Sequence, residues 1–277
     1  MRMTRLLVGT FAVTAAVLTG TVSPAAAATE TDTVRPDRVG ADWHLGDTRP
    51  SGTATFSDAY GGGGSTSSAV VLSTPESGAK VQMLSDDWAG TPIADITALS
   101  YETYLAESPP NGVALPALNL RVDLSGDGLP DYYLVFEPYQ AYGNEAIQSG
   151  TWQEWDALKG GDAVWWLSGH PTCGQAHDCT WDEIVALHPA ATVQEGANFR
   201  GSLGFNQGSG NGGVVAAADL LRVATADRDV TYDFETDVVL SSKDQCKDGG
   251  WATSTAPVYR NQGDCVSSFA SQGKSRR

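Results

Sequence analysis

The chain has 277 residues, of which 33 are acidic and 17 are basic, so its formal net charge at pH 7 is −16. A surface of this charge repels phosphate backbones and anionic lipids, and we expect neither a nucleic-acid nor a membrane partner. The length suits one large β domain with a small appendage, and we expect a monomer.

Residues 1–28 have the pattern of a Sec-type signal peptide. Arg2 and Arg5 precede an uncharged apolar run at 6–18 that is too short to span a bilayer. Four alanines at 25–28 supply the small side chains of a cleavage site. The sequence therefore predicts a secreted, extracellular protein that carries no organic cofactor.

The segment after the signal peptide, residues 29–50, is polar, contains Pro36 and Pro50, and lacks periodicity. It is predicted to be a flexible leader or a loosely held first strand. Residues 51–238 then repeat short apolar or alternating runs separated by turns. The predicted strands are 69–72, 81–84, 96–105, 118–122, 132–136, 164–167 and 230–234. This rhythm predicts an all-β fold, an antiparallel jelly-roll β-sandwich.

The turn at 123–131 reads DLSGDGLPD, with oxygen-bearing side chains at alternate positions. Asp123, Ser125, Asp127 and Asp131 are therefore candidate ligands for calcium, since a loop around this ion needs hard oxygens and a glycine at its bend. The loop lacks the distal glutamate of an EF-hand and has no flanking helices. The alternative is a hairpin turn with exposed carboxylates.

Five tryptophans fall within residues 152–181. An exposed indole face binds a sugar ring by stacking, and Trp152 and Trp155, which lie in a polar stretch, are the better candidates for this role among the five. The alternative for both is burial in the core. Of the adjacent pair Trp165 and Trp166, strand alternation directs one side chain inward and the other outward.

Four cysteines, Cys173, Cys179, Cys246 and Cys265, predict two disulfide bonds in an exported chain. Locality favours the pairs 173–179 and 246–265, since each pair closes a short polar loop. The alternative is a zinc site made by Cys173 and Cys179 with His170 and His177.

A short helix is predicted after Thr180, which has Glu183 at the spacing of a capping box, and Pro189 ends the segment. The following run at 201–213 is rich in glycine and contains Asn206, Gln207 and Asn211. Amides among small residues suit the donors and acceptors of sugar hydroxyls. The alternative is a bulged strand at a crowded edge.

Residues 239–277 differ from the rest in carrying six basic and three acidic residues. CKDGGW at 246–251 and NQGDCV at 261–266 resemble a short C-terminal cassette of secreted bacterial proteins, to which no activity attaches. The resemblance implies an appendage closed by a disulfide, and we expect a hairpin around Trp251.

The larger part of the chain resembles a family of secreted actinobacterial proteins with a lectin-like jelly roll, of the concanavalin A or laminin G type. The resemblance is carried by LSYETY at 99–104, PALNL at 116–120, LVFEP at 134–138, GFNQGSGN at 204–211 and TYDFE at 231–235. The resemblance implies a lectin-like jelly-roll fold but does not indicate a ligand or a reaction.

Catalytic motifs such as G-x-S-x-G and H-E-x-x-H do not occur in the sequence. The leading hypothesis is therefore a non-catalytic module that binds an extracellular or cell-wall polysaccharide, stabilised by calcium. One alternative is a secreted glycan hydrolase or lyase, for which Glu137, Glu154, Asp182 and Glu183 are candidate acids. Another is a structural or matrix protein that contacts other proteins.

Overall fold

A computed structural model describes residues 27–110, 112–195 and 200–272. The predicted signal peptide lies outside the described residues except for Ala27 and Ala28. The strands are β1 (Glu30–Val34), β2 (Trp43–Leu45), β3 (Thr53–Ser57), β4 (Ala69–Thr74), β5 (Val81–Ser85), β6 (Ala98–Glu107), β7 (Ala117–Asp123), β8 (Tyr132–Phe136), β9 (Trp152–Asp156), β10 (Val164–Leu167), β11 (Cys179–Thr180), β12 (Thr192–Val193), β13 (Leu203–Gln207), β14 (Val214–Ala224) and β15 (Asp229–Phe234). The helices are α1 (Pro138–Tyr142), α2 (Trp181–Leu187) and α3 (Gln262–Gln272).

Two sheets pack face to face, which confirms the predicted all-β sandwich. The seven-stranded sheet is built around β14, which pairs with β6 along one edge and with β4 and β15 in succession along the other. The eight-stranded sheet has the order β11-β10-β8-β7-β13-β5-β2, and β12 also pairs with β7. One pair departs from the predicted antiparallel arrangement, because β1 runs parallel to β15.

The core between the sheets follows from side-chain alternation. In β7, Leu118, Leu120 and Val122 point into the main apolar cluster, so Asn119 and Arg121 face the opposite side of the sheet. β6 shows the same alternation of buried and half-buried residues along its length. Each strand of the eight-stranded sheet thereby presents a second set of side chains on its outer face, and this outer face carries the site described below.

The prediction of a flexible leader at residues 29–50 is wrong. β1 pairs with β15, and β2 pairs with β5 at the edge of the other sheet. Trp43 in β2 is fully buried and packs edge-on against Tyr232 and Phe234. Residues 29–45 therefore belong to the sandwich, although their sequence lacks the long alternation of an independent strand.

The predicted helix at Thr180 is confirmed together with its capping box. Thr180 N–H donates to Glu183 Oε2 at 2.8 Å, and Glu183 N–H donates to Thr180 Oγ1 at 3.2 Å. Two further helices, α1 and α3, were not predicted. Within the described residues, no helix is long and apolar enough to cross a membrane.

The C-terminal segment contains the predicted disulfide, Cys246–Cys265, but no hairpin around Trp251. A 3-10 turn at Gly250–Thr253 and helix α3 stand in its place. Asp264 N–H donates to Asn261 Oδ1 at the start of α3, and Phe269 packs with the disulfide one helical turn later. Two features of the sequence could have predicted this helix: the capping residue Asn261 and the apolar residues Cys265 and Phe269, four positions apart.

Candidate functional site

A cleft of about 610 Å³ lies on the outer face of the eight-stranded sheet. Its floor is formed by outward-facing residues of β7, β8, β10 and β13, and its walls by loops at both ends of these strands. The polar and aromatic lining residues are Lys80, Glu137, Tyr139, Trp166, Gln175, Asn206, Ser209 and Asn211. The cleft therefore combines an indole, a phenol, a carboxylate and several amides on a rigid sheet.

Strand pairing determines which side chains meet in the cleft. Trp166 of β10 lies opposite Val135 of β8, and Val135 lies opposite Asn119 of β7. Asn206 of β13 lies opposite Ala117 of β7, and both line the cleft. Since alternate residues of a strand share a face, the register of these four strands fixes the cleft floor.

Glu137 is the carboxylate of the cleft. Trp166 Nε1 donates to Glu137 Oε2 at 3.0 Å, and the Tyr139 hydroxyl donates to the same oxygen at 3.1 Å. Gln175, from the loop closed by the Cys173–Cys179 disulfide, lines the cleft beside them. Two neutral donors thus orient a half-buried carboxylate toward the cleft.

Burial raises the pKa of Glu137 above its usual value, and the nearby Asp178 carboxylate raises this pKa further, although the hydrogen bonds from Trp166 and Tyr139 oppose the change. Burial and the Glu137 charge together raise the pKa of Tyr139 to about 12. Tyr139 is therefore a neutral hydrogen-bond donor at any physiological pH.

Two amide oxygens on the outer face of this sheet lack hydrogen-bond partners within the described residues. They are Oδ1 of Asn206, which lines the cleft, and Oδ1 of Asn119. Asn119 is 3% exposed and lies on the same face as Ala117, two residues away along β7. A buried acceptor without a donor costs free energy, about 1–3 kcal/mol, unless a ligand or water supplies that donor.

The amides predicted to bind a ligand divide between the cleft and the interior. Asn206 and Asn211 both line the cleft, as a shared site requires. Gln207 does not, because it follows Asn206 in β13 and its side chain is fully buried on the opposite face. The prediction of Gln207 as a ligand-binding residue is therefore wrong.

The tryptophans predicted as a stacking platform lie elsewhere. Trp155 is 3% exposed, and its Nε1 donates to Thr103 Oγ1 inside the core, so it cannot stack on a ligand. Trp152 is half-buried on the outer face of the seven-stranded sheet, beside Tyr104. The tryptophan of the cleft is Trp166, whose neighbour Trp165 is fully buried, as strand alternation predicted for this pair.

Close packing explains the first half of the glycine-rich run at 201–213. A Cβ on Gly204, whose φ is +155°, would lie 2.2 Å from the carbonyl oxygen of Met83 on β5. Gly204 thus allows β13 to fit between β5 and β7. The second half, residues 208–212, forms a wall of the cleft. The run thus contains a strand that lies between two others and not at an edge, followed by a loop that lines the cleft, and ligand binding by this loop stays a prediction.

The loop predicted to bind calcium closes on its own backbone. The two Asp123 oxygens accept hydrogen bonds from Gly126 N–H and Gly128 N–H, each at 2.6 Å. Asp131 Oδ2 accepts from the N–H groups of Leu124 and Ser125. Among the described residues, no three His, Cys, Asp or Glu side chains are grouped to hold a metal ion. This donor set fits a hydrogen-bonded turn, and calcium binding stays a prediction.

The cysteine pairing follows sequence locality. Cys173–Cys179 and Cys246–Cys265 are both disulfide-bonded. The alternative zinc site at Cys173 and Cys179 is therefore wrong, since neither sulfur is a free thiolate. His170, a further member of that proposed site, accepts a hydrogen bond at Nδ1 from Cys173 N–H and packs edge-on against Tyr132.

The other candidate acids lie away from the cleft. Glu154 and Asp182 line a separate cavity of about 380 Å³ together with Arg222. Glu183 serves as the capping residue of α2. Only Glu137 of the four candidates enters the larger cleft.

The fold and this cleft define a β-sandwich with a cleft of polar and aromatic residues on one outer face. Comparison with family models, curated proteins and solved structures finds no match. The resemblance to secreted actinobacterial proteins with a lectin-like fold therefore stays a prediction.

Proposed function

We propose that this protein is a secreted module whose cleft binds an extracellular or cell-wall polysaccharide. One observation carries the proposal: the indole of Trp166, the carboxylate of Glu137 and the amides of Asn206 and Asn211 line a single cleft. Sugar rings offer apolar C–H faces for an indole and hydroxyls for amides and carboxylates, so they complement this set of groups.

The two disulfides support export, because such bonds persist in oxidising compartments outside the cytoplasm. A precursor with the predicted signal peptide should appear in the culture medium in a shortened form. N-terminal sequencing of the released protein, with a start at residue 28 or 29, tests this part of the proposal.

Binding is tested by co-sedimentation of the purified protein with insoluble cellulose, xylan, chitin and peptidoglycan, followed by calorimetry with soluble oligomers. Trp166→Ala should weaken binding by about tenfold or more, equivalent to ~1.4 kcal/mol, through loss of the stacking face. Trp152→Ala is the matched control, since it removes a half-buried indole from the other sheet and should leave the affinity unchanged. The proposal fails if no polysaccharide binds.

A second candidate function, glycan hydrolysis, is favoured by the environment of Glu137. A carboxyl whose pKa is raised by burial is suited to donate a proton to a leaving group. This reading requires release of new reducing ends from a bound polysaccharide, and Glu137→Gln should abolish that release while binding persists. If the bound polysaccharide stays intact, hydrolysis is excluded and the protein is a non-catalytic binding module.

A further inference from the structure

The carboxylate of Glu137 has no cationic partner among the described residues of the protein. The groups that hydrogen-bond to its carboxylate, from Trp166 and Tyr139, are both neutral donors, and the charge that acts on it is the like charge of the Asp178 carboxylate. Within the described residues, no lysine, arginine or histidine forms a salt bridge with Glu137. This end of the cleft therefore has an uncompensated negative charge.

The cation in the cleft lining is already paired. Lys80 Nζ lies 2.8 Å from Asp47 Oδ2, and Arg49 on the rim shares the same carboxylate at 3.4 Å. The hydrogen bond from Lys80 holds the pKa of Asp47 below its usual range, so this carboxylate is ionised and fixes the lysine in place, although Lys80, Arg49 and Asp47 together keep one net positive charge. Lys80 is thus held at its own side of the cleft and leaves Glu137 without a counter-ion.

The cleft region also has an excess of hydrogen-bond acceptors. Asn206 Oδ1 on the cleft lining and Asn119 Oδ1 beside it are buried and lack donors within the described residues. A hydroxyl can act as donor or acceptor, whereas a protonated primary amine has three donors and a positive charge. An amine placed at Glu137 supplies the positive charge that this end of the cleft lacks, while hydroxyls of the same ligand can donate to Asn206, which lies two strands away across β7.

We infer that the saccharide bound in the cleft carries a free, protonated amine, as in a deacetylated amino-sugar chain, with the ammonium group against Glu137. The inference rests on the proposed function and names the class of sugar. An acetylated amino sugar has no positive charge and only one N–H donor, so it satisfies these groups less well.

The test compares glucosamine oligomers with N-acetylglucosamine oligomers of the same length by calorimetry. The wild-type protein should bind the free-amine oligomer at least tenfold more tightly, in 0.3 M salt, where long-range attraction to the anionic surface is screened. Glu137→Gln should reduce this preference to less than threefold, because it keeps the size of the side chain and removes its charge.

Glu154→Gln is the control, because it removes one charge from a residue outside the cleft and should keep the full preference. Equal affinity for the two oligomers in the wild-type protein, or a preference that survives in Glu137→Gln, overturns the inference. Binding of neutral polysaccharides only would also overturn it and leave the proposed function intact, whereas absence of any saccharide binding overturns both. The thermal midpoint of each variant establishes that it is folded.

Discussion

Asp219 is a fully buried carboxyl in β14. It lies where the pairing of β14 with β4 stops, just before its pairing with β15 starts along the same edge. Its Oδ1 accepts a hydrogen bond from Phe234 N–H, and its Oδ2 accepts from Gly63 N–H and the Thr66 hydroxyl. These bonds join a loop and two strands at the irregularity in β14. Burial nevertheless raises the pKa of Asp219 to about 7, since it disfavours the ionised form more than the donors favour it.

This raised pKa makes the stability of the fold depend on pH. Between about pH 4 and pH 7 the unfolded state releases a proton that the folded state keeps, so the free energy of unfolding falls as pH rises through this window. The difference in pKa corresponds to at most about 4 kcal/mol. Urea unfolding at pH 4.5, 6 and 8 should show this loss in the wild-type protein and not in Asp219→Asn.

Asp219→Asn should also be less stable than the wild type at pH 4.5, by about 1–3 kcal/mol, because its amide group must face one of three buried donors. Asp127→Asn, at an exposed carboxyl, serves as the control and should follow the wild-type curve. Parallel pH curves for the wild type and Asp219→Asn would show that Asp219 keeps its ordinary pKa.

At the residue scale, the sequence predicted some cleft residues and misplaced others. Asn206 and Asn211 were predicted because amides among glycines suggest ligand contact. The alternation rule gave one inward and one outward indole for Trp165 and Trp166 but did not say which. Trp155 was misassigned because polar neighbours in β9 face solvent while Trp155 faces the core, a distinction that depends on which sheet covers the strand.

At the scale of elements, the loop between Cys173 and Cys179 shapes one wall of the cleft. The disulfide closes this loop, which carries Gln175 to Glu137 and places Asp178 nearby. Leu167 N–H also donates to Cys173 O, which ties the loop to the end of β10. The shape of this cleft wall therefore depends on the disulfide as well as on the sheet.

Replacement of Cys173 and Cys179 by alanine should lower the free energy of unfolding by about 2–3 kcal/mol through the greater entropy of the open loop. The affinity for the proposed saccharide ligand should fall as well, because the loop that carries Gln175 along the cleft is no longer closed. Replacement of Cys246 and Cys265 is the matched control. That pair lies in a separate small apolar cluster, so saccharide affinity should not change. Equal losses of affinity in the two double variants would contradict this assignment.

Calcium is predicted to bind the loop between β7 and β8, where Asp123, Asp127 and Asp131 supply hard oxygens. If it binds, the thermal midpoint of chelator-treated protein rises on addition of calcium, by mass action on the folded state. The Asp127→Ala variant should lose this rise. If the thermal midpoint of the wild-type protein does not respond to calcium, the calcium prediction is wrong. The loop is then only the hydrogen-bonded turn seen at Asp123 and Asp131.

Most strands of the sandwich were predictable because one face of each is buried. The runs at 132–136 and 164–167 match β8 and β10 residue for residue. β14 was missed, since Ala216, Ala217 and Ala218 are buried together and remove the contrast between its faces. β1 was left open between a flexible leader and a loosely held first strand, because it is polar and half exposed and its place depends on a partner strand far along the chain.

At the scale of the whole molecule, the chain has a net negative charge, and Glu137 is the acidic residue among those that line the cleft on the eight-stranded sheet. The net charge of −16 accounts for the predicted lack of nucleic-acid partners and favours cationic ligands in general. Under the proposed function, the cleft adds selectivity to this attraction, because a ligand has to fit against Trp166 and Asn206, which both line it.

The parallel pairing of β1 with β15 also constrains when the fold can form. Thr29 and Asp229, which are hydrogen-bonded, are 200 residues apart in the chain. Contacts of such separation form slowly, and the seven-stranded sheet cannot be completed until both ends of the domain are available. A chain that leaves a translocation channel N-terminus first therefore stays incompletely folded until β15 has emerged, and until then β1 has no partner of its own.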